Sequence, residues 1–344
     1  MPLFSLARPI LFGCDPELAH RFTINALKWL PPKKPAVPDS LLSSHCAGVL
    51  FPSPVGLAAG FDKDGEVIRA MLGMGFGSVE VGTLTPLPQA GNPKPRLFRL
   101  VEDEAVINRM GFNNGGQKAA YARLAAARGA GIIGVNIGAN KESADRIADY
   151  VAGLRSMAAV ADYLTINISS PNTPGLRGLQ DKAQLLDLLD ALRAARGESG
   201  PPLFLKLAPD LEAQAIDDIA EIATPRVDAL IISNTTLERY GLKSRFAGEG
   251  GGMSGAPLGP LAHQRLRDFR KATGGTIPLI AAGGISSAED AYARIRSGAS
   301  LVQLYSALVY HGPGLVRRIT EGLKNRLIVD GFANVAEAIG VDAR

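Results

Sequence analysis

The chain has 344 residues, 46% hydrophobic and 20% charged, which is enough to bury a large core and excludes a disordered or collagen-like chain. Two cysteines, Cys14 and Cys46, exclude a disulfide framework and a four-cysteine metal or iron–sulfur site, and they point to a reducing compartment. Thirty-seven basic against 33 acidic side chains give a net charge of +4, too mild an excess to call for nucleic acid as a partner.

Residues 1–45 read as an amphipathic helical extension. Asp15 before Pro16 and Glu17 is a helix start, with aspartate as the cap and proline at the first helical position. From there Leu18, Phe22, Ala26, Trp29 and Leu30 share one face at helical spacing. The apolar segment Leu3 to Phe12 precedes it, and Arg8, His20, Arg21, Lys28, Lys33 and Lys34 make the region basic. Such a helix pair either packs on the next domain or lies in a membrane interface, apolar face down and cations toward anionic lipid. The opening MPLFSLARPILFG has no early basic region and no small-residue cleavage site, so a secretory signal is not expected. Two uncharged stretches, 40–61 and 297–316, are broken by proline and glycine and do not make membrane spans.

Residues 46–344 carry eight short apolar runs: Val55 to Gly60, Ser78 to Thr83, Ile132 to Gly138, Tyr163 to Ser169, Leu203 to Ala208, Ala229 to Asn234, Pro278 to Gly284 and Leu301 to Ser306. Most are nearly continuous in apolar residues, as strands covered on both faces are. Helical patterns alternate with them: Glu66 to Met74, Gln117 to Arg128, Ala144 to Ala159, Asp181 to Arg196, Leu211 to Ala223, Leu261 to Ala272, Ala288 to Ser297 and Leu315 to Leu327. Eight such repeats predict an α/β fold, a (β/α)8 TIM barrel with an N-terminal helical extension. Two connections are long: Leu84 to Gly116, where PRLFRL and EAVINRM form a small hairpin, and Thr235 to Gly259, with the glycine-rich GEGGGMSG. Both leave the carboxyl ends of strands, where barrel enzymes keep their sites.

The chemistry-bearing residues sit at those ends. Gly283, Gly284, Tyr305 and Ser306 close the seventh and eighth runs, where backbone N–H groups commonly cradle a phosphate. Lys206 lies inside the apolar LFLKLAP; a buried lysine finds an anion or loses its charge, so it forms a Schiff base, faces a reduced flavin or makes a structural ion pair. Lys63 poses the same question at the mouth. Asn108, Asn136, Asn167, Asn172 and Asn234 offer amide donors and acceptors suited to a ligand rich in amide and imide edges. Of the four histidines, His20, His45 and His263 lie away from the strand ends, with only His311 near one, so metal ligation and a Ser-His-Asp triad have little support.

The motifs AAGFDKDG (58–65), VGTLTP, NRMGFNN, GVNIG, INISSPNT, LKLAPD, SNTT, GGMSG, AAGGI and LYSAL occur in the order seen in dihydroorotate dehydrogenases, and the resemblance covers essentially the whole chain. It implies an FMN-containing barrel that oxidises dihydroorotate to orotate in pyrimidine synthesis. Soluble class 1 members use a cysteine base; class 2, quinone-linked members use serine and carry an N-terminal helical extension. Ser170 and residues 1–45 make this chain similar to class 2. The resemblance places FMN against Ala59, Gly60, Lys63, Thr83, Asn136, Asn167, Lys206, Ser233, Gly255, Gly284, Tyr305 and Ser306, Ser233 standing where many relatives have threonine. It places substrate against Lys63, Asn108, Arg109, Met110, Gly111, Phe112, Asn167, Asn172, Asn234 and Thr235, with Ser170 as base and Thr173 a candidate for its proton relay. It implies a membrane quinone as acceptor, collected through an apolar channel formed by the Leu18, Phe22, Ala26, Trp29 and Leu30 face, and peripheral attachment to the cytoplasmic side of the inner membrane. No nucleic acid and no second subunit are called for. A tRNA-reducing dihydrouridine synthase would need a basic RNA-binding face, and a Schiff-base aldolase using Lys206 would lack a yellow chromophore.

Overall fold

The computed structural model describes residues 2–31 and 33–343; Met1, Pro32 and Arg344 of the predicted extension and C-terminus lie outside the described residues. Eight parallel strands close a barrel in chain order: Val55–Leu57, Ser78–Leu84, Ile132–Ile137, Tyr163–Asn167, Leu203–Leu207, Ala229–Ile232, Leu279–Ala282 and Ala299–Leu304. Each coincides with a predicted apolar run. The fourth, fifth, sixth and seventh are buried at every position, which is why they do not alternate in polarity. Several runs overshoot the strands at their carboxyl ends because those residues curl into the mouth. Ala58 to Gly60 leave the first strand and bond sideways, Gly60 N–H donating to Gly82 O at 2.8 Å.

Helices follow most strands as the periodicity predicts, among them Gln117–Ala127, Arg146–Met157, Lys182–Arg196, Ala213–Ala223, Gly259–Ala272, Ala288–Arg296 and Leu315–Val329. The first is shorter than expected, Ile68–Leu72, and an extra helix, Ser306–His311, follows the eighth strand. The amino end of the barrel is plugged by a hairpin, Ser44–Cys46 with Val49–Phe51, whose Cys46 and Phe51 pack on Tyr163 and Phe204. The long connections meet. The predicted hairpin, Leu97–Leu100 with Ala105–Asn108, takes Gly252–Gly255 from the second connection as a third antiparallel strand.

Two helices precede the barrel, α1 (Pro2–Gly13) and α2 (Pro16–Lys28). Asp15 caps α2 as predicted, its carboxylate accepting from the Glu17 and Leu18 N–H groups at 3.0 Å. The buried face of α2 is Ala19, Ile24 and Leu27, whereas Leu18, Phe22, Ala26, Trp29 and Leu30 are exposed. Glu17 fastens α2 to the long connection by a two-pronged bond from Arg96, at 2.7 and 3.1 Å. Arg21 (2.5 Å) and Lys28 both pair with Glu66, so these two cations are matched within the protein. Among the described residues no helix is long and apolar enough to cross a membrane.

Candidate active site

One cavity of about 500 Å³ runs from between α1 and α2 to the carboxyl ends of the barrel strands. Its barrel end is polar. Ala59, Gly60, Lys63, Thr83, Asn167, Lys206, Ser233, Gly255, Gly284, Tyr305 and Ser306 line it, as do Asn108, Met110, Gly111, Phe112, Ser170, Asn172, Asn234 and Thr235. Eight strands bring these distant motifs together because each ends at the same rim.

Two candidates stand elsewhere. Asn136 is fully buried behind the cavity wall, where its amide oxygen accepts from Thr83 Oγ1 at 2.6 Å and from Asn167 Nδ2 at 3.1 Å. It holds the lining residues. Arg109 turns its side chain away from the cavity: it stacks on Phe98 at 4.6 Å and pairs with Glu249 at 2.8 Å, since a carboxylate and an aromatic ring offer the guanidinium better partners on that side.

The asparagines brace one another. Asn172 Nδ2 donates to Asn108 Oδ1 at 3.2 Å, and Asn234 Nδ2 donates to Ser169 Oγ at 2.9 Å and to Asn167 Oδ1 at 3.3 Å. Ser170 is 6% exposed, its Oγ accepting from the Asn172 N–H at 3.3 Å. Nearby, the buried Thr173 Oγ1 has no hydrogen-bond partner. Lys63 donates to Gly60 O at 3.0 Å, and burial pushes its pKa down to about 8.

Lys206 is almost wholly buried at the cavity floor, and burial holds its pKa below the usual lysine value against the attraction of Glu80. Glu80 was missed from the sequence, although it is the lone acid in the apolar run SVEVGTL, the same signal that marked Lys206. Its carboxylate accepts from Asn136 Nδ2 and Gln303 Nε2, each at 2.7 Å, and from Tyr163 OH at 3.3 Å. A caged anion and an unbonded cation thus lie beneath the cavity.

The end of the seventh strand and the end of Gly252–Gly255 leave room only for backbone. Gly284 has φ +67, and a Cβ there would stand 2.2 Å from Gly259 Cα; Gly255 has φ +104, and a Cβ would stand 2.3 Å from Glu104 O. Ser306 Oγ donates to Ser254 Oγ at 2.7 Å on the same rim. This cradle, with Lys206 below it, fits a phosphate-bearing ring cofactor such as FMN.

Toward the helices the lining turns apolar, with Phe4, Leu11, Phe12, Ala19, Leu27 and Leu30, joined by Met71, Met74 and Leu97. Of the face predicted to form the channel, only Leu30 lines it; Leu18, Phe22, Ala26 and Trp29 point outward, because the opposite side of α2 carries the residues that pack on the barrel. Three polar residues of this end were missed. His20 lines it edge-on to Phe61 at 5.4 Å, and burial holds its pKa down at about 4. Arg99 stacks on Phe12 at 5.0 Å and donates to Cys14 O at 3.1 Å, and Tyr310 meets Phe12 edge-on at 5.7 Å. No strand-end argument could have found them, since they come from a helix, a hairpin and the segment after the eighth strand.

A closed parallel barrel whose strand-end cavity joins a polar amide pocket to an apolar passage has the layout of a barrel enzyme with its site at the strand ends. Residues 41–327 match the family model described as dihydroorotate dehydrogenase. The chain is 60% identical over 340 residues to the dihydroorotate dehydrogenase (quinone) of Erythrobacter litoralis, covering 98% of this chain and 99% of that protein. It is 59% identical to that of Sphingopyxis alaskensis, covering 99% and 97%. In structure it is similar to the Eimeria tenella dihydroorotate dehydrogenase crystallised with ferulenol, with TM-score 0.92 and 41% identity over 97% of this chain and 99% of that one. The chain belongs to the dihydroorotate dehydrogenase family and is an oxidoreductase.

Proposed function

We propose that the chain oxidises dihydroorotate to orotate for pyrimidine synthesis, with FMN as its resident cofactor and a membrane quinone as final electron acceptor. The supporting observation is the single cavity with two unlike ends, amides and a cation at the barrel mouth and an apolar passage between the helices. FMN, when bound, supplies the hydride acceptor that the side chains lack and passes the electrons on to quinone.

The side chains do the rest. Ser170 Oγ takes a proton from one ring carbon as hydride departs from its neighbour, leaving the ring double bond of orotate. Serine alone is a poor base, and Thr173, three residues on and buried with its Oγ1 unbonded, is the candidate to pass its proton on. Lys63, still mostly charged at pH 7, faces the substrate carboxylate. Asn108, Asn172 and Asn234 bond the ring's amide edges, the Asn172–Asn108 bond and the bonds of Asn234 to Asn167 and Ser169 holding them in place before substrate arrives. Lys206, on the cavity floor, would be among the residues that hold FMN and would supply it a positively charged neighbour.

At the other end Ile10, Leu18, Phe22, Trp29 and Leu30 are all more than half exposed, a surface suited to the interfacial layer of a membrane around the passage's opening. Peripheral attachment to the cytoplasmic side of the inner membrane, against anionic lipid, lets a long-tailed quinone enter from the bilayer.

The test is the visible spectrum of the purified protein, which should be yellow and bleach on anaerobic addition of dihydroorotate. Ser170→Ala should keep the colour and bleach about 10² to 10⁴ times more slowly. A colourless protein, or a Ser170→Ala variant bleaching at the wild-type rate, overturns the reading.

A further inference from the structure

Arg177 lies outside the cavity, in the short turn Leu176–Gln180 after the fourth strand. Its three nitrogens reach three different segments. Nε donates to Ser169 O at 3.0 Å, Nη2 to Thr235 O at 3.0 Å, and Nη1 to Asp210 at 2.9 Å. Ser169 immediately precedes Ser170, Thr235 immediately follows Asn234, and Asp210 leads out of the fifth strand. Asp210 extends the tie, accepting from Thr236 Oγ1 and from the Leu237 N–H, the latter at 3.1 Å.

We propose that Arg177, backed by Asp210, is a positioning residue that sets where Ser170 stands relative to the amide of Asn234. The inference rests on the reading of Ser170 as base. A guanidinium is a rigid planar fork, so bonds to two backbone carbonyls fix the separation of the two loops. Side-chain exposures of 22% for Arg177 and 16% for Asp210 leave little water to take over a lost bond. The two carbonyl bonds fall on main chain next to Ser170 and Asn234, so slack here becomes displacement of the base across the ring. A displacement of about 1 Å between reacting groups costs on the order of 10²-fold in rate. A lysine keeps the charge opposite Asp210 but, as a point donor, cannot hold both carbonyls at set angles.

The test uses the full-length, cofactor-loaded protein with Arg177→Lys, Arg177→Met and Asp210→Asn. Three quantities are read: the limiting rate of bleaching at saturating dihydroorotate, the dissociation constant for orotate by calorimetry, and the oxidation of pre-reduced protein by quinone. Arg177→Met should lower the limiting rate about 10²-fold, as a ~1 Å displacement does, with orotate affinity falling far less and quinone oxidation unchanged. Arg177→Lys should melt as the wild type and recover part of the rate, and millimolar guanidinium should partly rescue Arg177→Met. A wild-type limiting rate in Arg177→Met refutes the proposal, and so does a fall matched by an equal fall in the quinone step. If Arg177→Met does not fold, Arg177→Lys and Asp210→Asn decide on the same criteria. Ser170→Ala separates the two ideas: a fast Ser170→Ala overturns the base itself, whereas a slow Ser170→Ala beside a fast Arg177→Met overturns only the role of Arg177.

Discussion

Replacing Glu17 by Gln should loosen α2 from the barrel, and it also removes the carboxylate charge that supports the Lys63 ammonium against burial. Arg96, 7% exposed, spends Nε and Nη2 on the Glu17 carboxylate and Nη1 on Ala90 O and Asn92 O at 2.6 and 2.8 Å. In Glu17→Gln the charge disappears and an amide NH2 faces a donor that needs an acceptor. Breaking a buried pair costs about 3–5 kcal/mol. Glu17 is 19% exposed and keeps water contact, so about 2 kcal/mol is the better figure. That shifts the docked-to-undocked ratio of α2 roughly 30-fold. Hydrogen exchange of the amides in 17–28 should accelerate by that factor, and oxidation of reduced protein by a long-tailed quinone should fall. Bleaching by dihydroorotate should change far less than the quinone step, through the weaker support of Lys63 alone. The wild type should show the same loosening in acid, because the Arg96 hydrogen bond holds Glu17 below the ordinary carboxylate pKa. The docking contribution is complete above that ordinary value and is lost as pH falls through the lowered one. Wild-type exchange in α2 together with wild-type quinone oxidation in Glu17→Gln would refute the assignment of this ion pair as the fastening.

Lys206→Met should fold normally, since it deletes a buried cation with no hydrogen bond to a described residue, yet bind FMN at least about tenfold more weakly by fluorescence titration; unchanged affinity would contradict its place beneath the cofactor. With Lys63 pushed down to about 8, orotate affinity should fall by about tenfold per unit as pH rises above that value, and Lys63→Met should flatten the profile. His20 titrates at about 4 in the folded chain against 6.5 when free, so the unfolded state takes the proton first on acidification. Stability should therefore drop by about 2 kcal/mol between pH 6.5 and pH 5 in thermal melts, and His20→Phe should remove that part of the slope.

The barrel was legible because both faces of each strand are covered, so runs such as Ala229–Ile232 are apolar throughout and cannot be confused with half-solvated strands. Strand-end residues were legible for the same reason: a lone Lys206 in such a run has few structural uses. Glu80 carries the same signal, a lone acid in the fully buried run SVEVGTL. What periodicity could not show is direction. α2 is apolar on two sides, and spacing alone does not say whether Leu18, Phe22 and Trp29 or Ala19, Ile24 and Leu27 meet the barrel. Arg109 has the same lesson at one residue, since a motif places its backbone while Phe98 and Glu249 decide where the side chain goes. Arg177 was beyond reach because its role lies in joining Ser169 O of its own loop to Thr235 O and the Asp210 carboxylate after the sixth and fifth strands, a relation no local pattern encodes.

The polar layer inside the barrel shows why the site and the fold are one problem. Barrel interiors are ordinarily filled by bulky aliphatic side chains in layers. Here Glu80, Asn136, Lys206 and Gln303 occupy that space, buried to 6% exposure or less. Most of their hydrogen-bonding groups are met; Gln303 Oε1 is buried without a partner, and Lys206 faces the cavity. A buried polar group left unmet costs about 1–3 kcal/mol, so a barrel selected for stability alone would not keep them. The polar residues of this layer are also joined to the cavity wall, Glu80 to Asn136 and Asn136 to Thr83 and Asn167, so the cost falls where it fixes the lining. Filling the layer with aliphatic side chains would gain stability and leave Thr83 and Asn167 free to rotate, which is the exchange a binding site cannot make.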